Sequence, residues 1–435
     1  MQAQIETMKV TFLKSLVIGV LLSMLGGSVF AQADVDSPYS LFGVGQLRDK
    51  STNVKLKGMG GVSNAMFGGG MINTANPASY AKIDSLAFLF DAGIYFKTST
   101  FSTSSMSERS ANASFDYVAM AFGVFPWWKM SLGVMPYSVK GYTMIVDHYD
   151  ENLGHYASSF RGAGGLNQAY WGNAFKIGKH FAVGANAYYV FGNSQTETTL
   201  SFPDSLYMMA SRRSVDLMVS SFMFDYGLLC DFDVASDMNL SLGLTYSQRI
   251  KLNGNQTMFI RSIEEDDDTT VEYVIDTVAY STGKTKLTMP HGLGFGVALQ
   301  KKDRWSLGAD FNWTQWSKFA REGVTEPLQD SWRVAVGYEF FPKHSSVSNY
   351  FTRASYRVGG FYEHSYLNIS GNALNKVGLS AGVSLPLPRT LSRVNVALEV
   401  GQFGTHQDNL VRERYLKLNV GVSVYERWFV KRRYK

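Results

Sequence analysis

Alternating apolar and polar positions dominate the chain from about residue 85 to its end. In residues 416–424 every even position is Leu or Val, whereas the odd positions are Lys, Asn, Gly and Ser. Residues 240–246 and 332–340 show the same period of two. This period indicates β-strands with two different faces, so the chain is predicted to be all-β. Alternation alone does not separate a water-soluble β-sandwich from a membrane barrel.

Three features favour a transmembrane barrel. The polar positions are small and rich in glycine, and charged residues make up only 18% of the chain, against about 25% in ordinary soluble domains. The runs reach ten or more residues, the length that a tilted strand needs to cross a bilayer. The runs also end in aromatic residues, which are typical of the girdles at membrane interfaces: Trp127, Trp128, Trp305, Trp313, Trp316, Tyr338, Phe340, Trp428 and Phe429.

The alternating segments predict a barrel of fourteen antiparallel strands. Short turns follow the second, fourth, sixth and eighth strands, and long polar loops follow the first, third, fifth and seventh, the longest over residues 262–282. This asymmetry is typical of outer-membrane barrels, whose short turns face the periplasm. The predicted strands span residues 85–97, 112–125, 129–147, 162–177, 180–200, 213–235, 237–261, 283–300, 304–319, 330–341, 350–367, 374–386, 392–404 and 411–430.

The N-terminus predicts export. Residues 1–31 read as a signal peptide, with Met8 as an alternative start, a short apolar core and small residues before a cleavage site after Ala31. Beyond residue 31 no apolar stretch is long enough for a transmembrane helix. The expected location is therefore the outer membrane of a Gram-negative bacterium, with residues 85–430 as the barrel and residues 431–435 as a basic periplasmic tail.

Several classes of protein receive no support from the sequence. The lone Cys230 excludes a disulfide scaffold, and the net charge of +5 arises from scattered basic residues, so nucleic-acid binding is not expected. The acidic run over residues 264–268 reads as a solvated loop tip, because contiguous acids lack the spacing of a calcium loop. No catalytic residue, metal site or cofactor is predicted, and enzyme activity is not expected.

Residues 32–84 differ from the barrel, since they are rich in glycine and lack alternation. Fourteen strands enclose a lumen wider than side chains alone fill, so this segment is predicted to form a plug, or hatch, inside it. Inward-facing charged residues are the expected partners of the plug: Asp225, Asp231, Asp310, Arg333, Glu339, Arg357 and Glu399. Flexible apolar residues of the plug are predicted to line a substrate pocket: Phe42, Met59, Met66, Phe67 and Met71.

Two motifs resemble the FadL/TodX-type outer-membrane transporters of hydrophobic compounds. Asn76, Pro77 and Ala78, ahead of the first strand, are similar to the NPA motif of that family. A second run, across two predicted strands, is similar to a family pattern ending in T-x-W-S-x-F. It contains Pro290, Trp305, Thr314, Trp316, Ser317 and Phe319.

The resemblance implies passive uptake of a hydrophobic small molecule, in the class of long-chain fatty acids or aromatic hydrocarbons. The substrate would be held in an apolar pocket above the hatch and released sideways through a gap in the wall. Gly133, Pro136 and Gly141 in the third strand are the candidates for that gap, because proline does not donate to a strand ladder. Other expected partners are outer-membrane lipid, lipopolysaccharide and, during insertion, the barrel-assembly machinery.

A second function stays open from the sequence. A FadL-like barrel is also suited to serve as a protein-binding component of an export or surface-attachment system. The lining of the lumen distinguishes the two functions, since an apolar methionine-rich pocket favours transport and a charged lumen favours protein binding.

Overall fold

The strands of the barrel follow from the alternating sequence. The computed structural model describes residues 37–427, apart from 51–52, 69, 152–153, 204–207, 266–271, 323–325, 327, 343–349, 370 and 389. The predicted signal peptide, Trp428, Phe429 and the basic tail lie outside the described residues. The fourteen strands are β1 Ala87–Ser102, β2 Ser107–Phe125, β3 Trp128–Val139 and Tyr142–Asp150, β4 Gly154–Ile177, β5 Phe181–Ser201, β6 Ala210–Ala235, β7 Met238–Ser247 and Ile250–Glu265, β8 Glu272–Met289 and Gly292–Lys301, β9 Trp305–Thr314, β10 Ser331–Phe340, β11 Ser355–Ile369, β12 Asn372–Pro386, β13 Arg393–Phe403 and β14 Arg412–Arg427.

Each strand pairs antiparallel with the next, and β14 closes the barrel on β1. The closing ladder runs from Arg412 opposite Ser102 to Arg427 opposite Ala87. This confirms the predicted fold class, a closed fourteen-stranded antiparallel barrel. Closure satisfies the backbone groups that an open sheet would leave unpaired in hydrocarbon.

In the part of the chain that the structure describes, helical structure is confined to short pieces. They are α1 Val54–Lys57 and the 3-10 turns Pro38–Leu41, Pro77–Lys82, Trp316–Lys318, Tyr350–Arg353 and Gln407–Asn409, and two further short strands cover Gln46–Leu47 and Ala320–Arg321. Within the described residues, no helix has the length and apolar character needed to cross a membrane.

The two faces of the strands differ as the alternation predicts. On β14 the outward side chains of Leu416 and Val422 are exposed, whereas the inward Asn419 is fully buried. The outward apolar side chains would lie against lipid in a membrane. The inward residues are covered by the chain segment that precedes β1.

The wall is much taller on one side than on the other. β4 and β6 have 24 and 26 residues, whereas β9 and β10 have 10 each. The expectation of a long loop over residues 262–282 is wrong, because β7 continues to Glu265 and β8 begins at Glu272. Apolar residues do not alternate in these upper parts, since solvent reaches both faces and no lipid or core selects one side.

Residues 37–84, here called the N-terminal segment, lie against the inner surface of the wall, where glycines leave room for its backbone. A Cβ atom added to Gly243 would lie 1.8 Å from the carbonyl oxygen of Asn64, and one added to Gly359 would lie 2.2 Å from the carbonyl carbon of Met59. Real Cβ atoms do not approach other atoms this closely. These glycines, here called the glycine belt, occur on nine strands: Gly184, Gly227, Gly243, Gly296, Gly308, Gly337, Gly359, Gly382 and Gly421.

Substituting Gly243→Ala is expected to lower the free energy of unfolding by about 1–3 kcal/mol, because the new methyl group forces the N-terminal segment away from β7. Thermal unfolding in detergent and the rate of protease cleavage within residues 37–84 measure the effect. Gly283→Ala is the matched control, since nothing lies within 4 Å of a Cβ at that position. Equal melting temperatures for the two variants would show that the segment does not depend on the close approach.

Candidate functional site

The Asn76-Pro77-Ala78 motif fixes the end of the N-terminal segment to β5 and β6. The Asn76 side chain accepts a hydrogen bond from the backbone N–H of Ala78 at 3.0 Å and so caps the 3-10 turn Pro77–Lys82. Its amide donates to the carbonyl oxygens of Asn64 and Leu228, at 2.6 and 3.2 Å. Asn76 is fully buried. The motif therefore connects two parts of the segment to each other and to the wall.

Helix α1 lies against charged residues of the wall. The side chain of Asn53 accepts from the backbone N–H of Lys55 at 2.9 Å and donates to Asp91. Lys57 forms an ion pair with Asp116 of β2, and both side chains are buried. Burial lowers the pKa of Lys55 to about 7, and the nearby charges of Arg357 and Arg393 act in the same direction.

Two of the predicted inward charges bind the backbone of the segment directly. Asp310 accepts from the backbone N–H groups of Ser63 and Asn64, at 2.6 and 2.8 Å. Arg333 donates to the carbonyl oxygen of Gly60 at 3.1 Å and to Asp49 at 2.8 Å. Such charge-assisted hydrogen bonds are stronger than neutral ones. They hold the segment at a defined height in the lumen.

The other predicted inward charges also have partners inside the barrel. Asp231 pairs with Lys82 of the segment, and Asp225 lies 3.9 Å from Lys50. Glu399 accepts from the hydroxyl of Tyr415 at 2.7 Å. Glu339 and Arg357 pair with each other.

Two adjoining cavities lie over the segment, towards the end of the barrel opposite the short turns. Their volumes are about 190 Å³ and about 140 Å³, and residues 47–50 line both. The larger cavity has a charged lining that includes Arg48, Asp49, Lys50, Arg333, Glu363 and Lys376. The smaller cavity has a largely apolar side formed by Leu47, Met135, Pro136, Tyr137, Met223 and Met289. The larger cavity is here called the charged end and the smaller one the apolar end. Arg48, Asp49 and Lys50 line both, and Asp225 also lines the smaller one.

The wall is interrupted between β2 and β3, beside the apolar end. Their ladder runs from Phe125 opposite Trp128 to Val118 opposite Val134. Beyond this point, residues 107–117 of β2 pair with β1, whereas residues 135–150 of β3 pair with β4 and with Gln46–Leu47 of the segment. Within residues 107–150, all of which are described, no further β2–β3 pair is present.

The predicted third-strand residues lie around this interruption. Gly133 is opposite Ala119 in the last stretch of the β2–β3 ladder. Pro136 lies at a shift in the β3–β4 register, between Pro136 and Ser138. Gly141 lies between the two parts of β3, and its carbonyl oxygen accepts from the backbone N–H of Ser37 at 3.2 Å.

The predicted pocket residues of the segment lie elsewhere. Met59, Met66 and Met71 are buried in one cluster with Leu56 and Phe361. Phe42 packs near Tyr39 and Leu367, and Phe67 packs beneath Lys82. None of the five lines either cavity. Inside a barrel, an apolar residue of the segment packs against the wall, and strand residues supply most of the apolar cavity lining.

The second family-like motif runs from the interruption of β8 to the turn that follows β9. Pro290 follows the first part of β8, where the strand is interrupted, and Trp305 begins β9. The predicted strand over residues 304–319 ends early, at Thr314, because Trp316 turns inward in a 3-10 turn and stacks 4.8 Å from Tyr366. Thr314 and Trp316 line both cavities. Ser317 belongs to the same turn, and the Phe319 ring packs 5.6 Å from Trp316.

Sequence reasoning missed the residues that line the apolar end, Met135, Met223 and Met289 among them. Met135 precedes Pro136, at a register shift of β3, and Met289 precedes Pro290, where β8 is interrupted. That adjacency is the signal available in the sequence. The charged lining of residues 48–50 carried no comparable signal.

The Asp49 carboxyl lies among cations at the charged end. Burial raises its pKa, but the surrounding cations, Lys376 and Arg333 foremost, outweigh burial and hold the pKa well below its ordinary value. The stability that a lowered pKa provides is fully present above the ordinary value of about 4 and is lost as the pH falls through the folded-state pKa.

Asp49→Asn is expected to destabilise the protein by about 1.5–3 kcal/mol at pH 7, because Arg333 loses a charged partner. Melting temperatures in detergent between pH 8 and pH 2 should show a gap from the wild type that is constant near neutrality and closes in acid. Asp147→Asn, at an exposed position of β3, is the control. A gap that persists unchanged in acid would mean that the charge of Asp49 is not responsible.

The described residues contain no group of three or more His, Cys, Asp or Glu placed to hold a metal ion. The arrangement is that of two adjoining cavities beside an interruption of the β2–β3 ladder.

Among solved structures, this barrel is similar to three proteins of the FadL/TodX type. The toluene transporter TodX of Pseudomonas putida is 14% identical and has a TM-score of 0.59, over 88% of this chain and 99% of that chain. The toluene transporter TbuX of Ralstonia pickettii is 15% identical, with a TM-score of 0.55 over 87% and 99% of the two chains. A FadL homologue of Pseudomonas aeruginosa is 12% identical, with a TM-score of 0.54 over 88% and 100%. At these identities the likeness shows the shared fold.

No curated protein matches the sequence. A family model, BamG, matches residues 12–435, which is nearly the whole chain. The chain has the FadL-type barrel fold and belongs to the BamG family.

Proposed function

We propose that this protein is an outer-membrane channel that takes up hydrophobic small molecules and releases them sideways into the membrane. The observation that carries the proposal is the interrupted ladder between β2 and β3 beside the apolar end of the cavities. An apolar solute gains nothing from a water-filled pore, so a lateral exit keeps it out of water. The solved neighbours named for toluene transport support the same class of substrate.

The height of the interruption fits a lateral exit. The β2–β3 ladder extends eight residues from the short turn, from Phe125 to Val118. Outer-membrane strands need about 9–11 residues to cross the bilayer. The opening therefore begins at the height of the outer leaflet if the short turns face the periplasm. Leu47, Met135 and Tyr137 form an apolar surface on the cavity side of the opening.

The N-terminal segment acts as the hatch in this proposal. Its backbone is held against the glycine belt, and the Asn76-Pro77-Ala78 motif secures its end. A solute that enters from outside meets the segment below the cavities and leaves through the wall.

A protein-binding role is the second candidate, and the charged lining of the larger cavity favours it. Arg48, Asp49, Lys50, Glu363 and Lys376 form a polar surface that an entirely hydrophobic solute would not require. The two roles are separated by uptake measurements.

Met135→Trp is expected to reduce the initial uptake rate by about tenfold, equivalent to about 1.4 kcal/mol in the barrier, because the larger side chain fills the apolar end beside the opening. Uptake of radiolabelled toluene and of a radiolabelled long-chain fatty acid, in cells without other such channels, measures the effect.

Met130→Trp is the matched control. Met130 lies on the same strand as Met135, but it precedes the buried, inward-facing Ser131 and therefore points to the outer face of the wall. Wild-type uptake no faster than that of cells without the protein would reject the channel. Equal uptake by the two variants would reject the route past Met135.

A further inference from the structure

The upper part of β8 has a free backbone edge. On one side this part of β8 pairs with β7 from Met289 opposite Ile250 to Glu272 opposite Glu265, with two register shifts that leave Ile275 and Val278 without a partner on β7. On the other side, the ladder within the described residues is limited to Leu287 and Thr288, which pair with Ala320–Arg321. Within the described residues, 272–285 therefore have no strand partner along this edge, here called the β8 edge.

The β8 edge lies outside the lipid. Counted from the short turn after Lys301, the bilayer takes up about 9–11 residues of a tilted strand. Gly292–Lys301 has 10 residues, so the β8 edge begins beyond the membrane, on the side that we place outside the cell.

Apolar side chains are exposed on both faces of β8 along the β8 edge. Tyr273, Val274, Ile275, Val278 and Tyr280 are each between 47% and 63% exposed. A long, exposed apolar edge is a ready template for another strand, and soluble proteins usually shield such edges with lysine, proline or a covering loop. The β8 edge therefore has the properties of a binding surface for an extended chain.

The described ends of β7 and β8 beside the β8 edge are acidic. Glu264, Glu265, Glu272 and Asp276 occur there together with one basic residue, Arg261, whereas the whole chain carries a net charge of +5. Electrostatic complementarity favours a basic partner and speeds its association.

A second copy of this chain does not fit the edge. Two copies in one membrane stand the same way up, so their β8 edges would run parallel and at the same height. Asp276 of one copy would then face Asp276 of the other, and like charges across strands are destabilising.

We propose that the β8 edge binds an extended basic segment of another protein at the cell surface by strand addition. The main-chain groups of residues 272–285 supply the hydrogen bonds, the exposed valine and tyrosine side chains supply apolar contact, and the acidic residues select a basic partner. This surface lies outside the cavities and the β2–β3 opening, so the inference is independent of the uptake proposal.

The test uses the full-length protein in nanodiscs and a synthetic peptide of about 12 residues of alternating Lys and Val, long enough to cover most of the edge at about 3.4 Å per residue. Two matched peptides accompany it, one with Glu in place of Lys and one with alternate backbone amides methylated. Binding of the basic peptide, and at least about tenfold weaker binding of both others, is expected for strand addition. Equal binding of the methylated peptide would overturn it, since charge alone would then explain the affinity.

Two variants locate the site. Asp276→Lys and Val278→Pro are each expected to weaken binding of the basic peptide by about fivefold or more. The register of the β7–β8 ladder shifts at Val278, which therefore has no partner on β7. Proline at this position removes a backbone N–H donor from the β8 edge with little effect on the β7–β8 ladder. Asp216→Lys is the control, since it makes the same charge change on β6, which is paired on both sides.

Unchanged melting temperatures show that the variants are folded. Equal binding by the control and both edge variants would overturn the proposal. The proposal would also be overturned if sedimentation showed that the wild-type protein is a dimer and that Val278→Pro dissociates it. The occupant of the edge would then be a second copy.

Discussion

The close approach of one backbone to another inside the barrel determines the rest of the structure. On nine strands the wall residue that faces the N-terminal segment is a glycine, and Gly243 and Gly359 leave space only for hydrogen atoms. A wall with ordinary side chains at these positions would hold the segment farther from the strands. The hydrogen bonds from the segment to Asp310, Arg333 and Leu228 would then be out of reach. The height of the segment, and with it the floor of both cavities, depends on these glycines.

The buried charges determine the position of the N-terminal segment in the lumen more than they increase the free energy of unfolding. A buried ion pair such as Lys57–Asp116 regains in attraction much of what its two groups lose in hydration, whereas one partner alone is strongly unfavourable. Each pair therefore penalises any register of the segment in which the partners do not meet. Asp49 with Arg333 and Lys82 with Asp231 add the same requirement at two other heights. The glycine belt permits one close position, and the charges select it.

The barrel could be predicted from the sequence because a lipid-facing wall requires apolar residues at alternate positions of each strand. Where strands face hydrocarbon on one side and a packed lumen on the other, as on β14, apolar residues alternate and the strand count is readable. The upper parts of β7 and β8 meet solvent on both faces, so their residues follow no such pattern and the sequence wrongly predicts a loop there. The cavity lining was harder still, because it depends on which strands face the segment. The buried methionines of the segment read as pocket residues, whereas Met223, on a wall strand, lies at the cavity.

Gln46–Leu47 belongs to the segment but pairs with Ser138 and Val139 of β3, and the backbone N–H of Arg48 donates to Tyr137 at 3.0 Å. The segment thus occupies the edge that β2 leaves vacant. Any withdrawal of these residues lengthens the unpaired edge of β3, and any rejoining of β2 to β3 there displaces them. Seating of the segment on β3 and pairing of β2 with β3 therefore compete for the same backbone groups, so a change in one is opposed by the other.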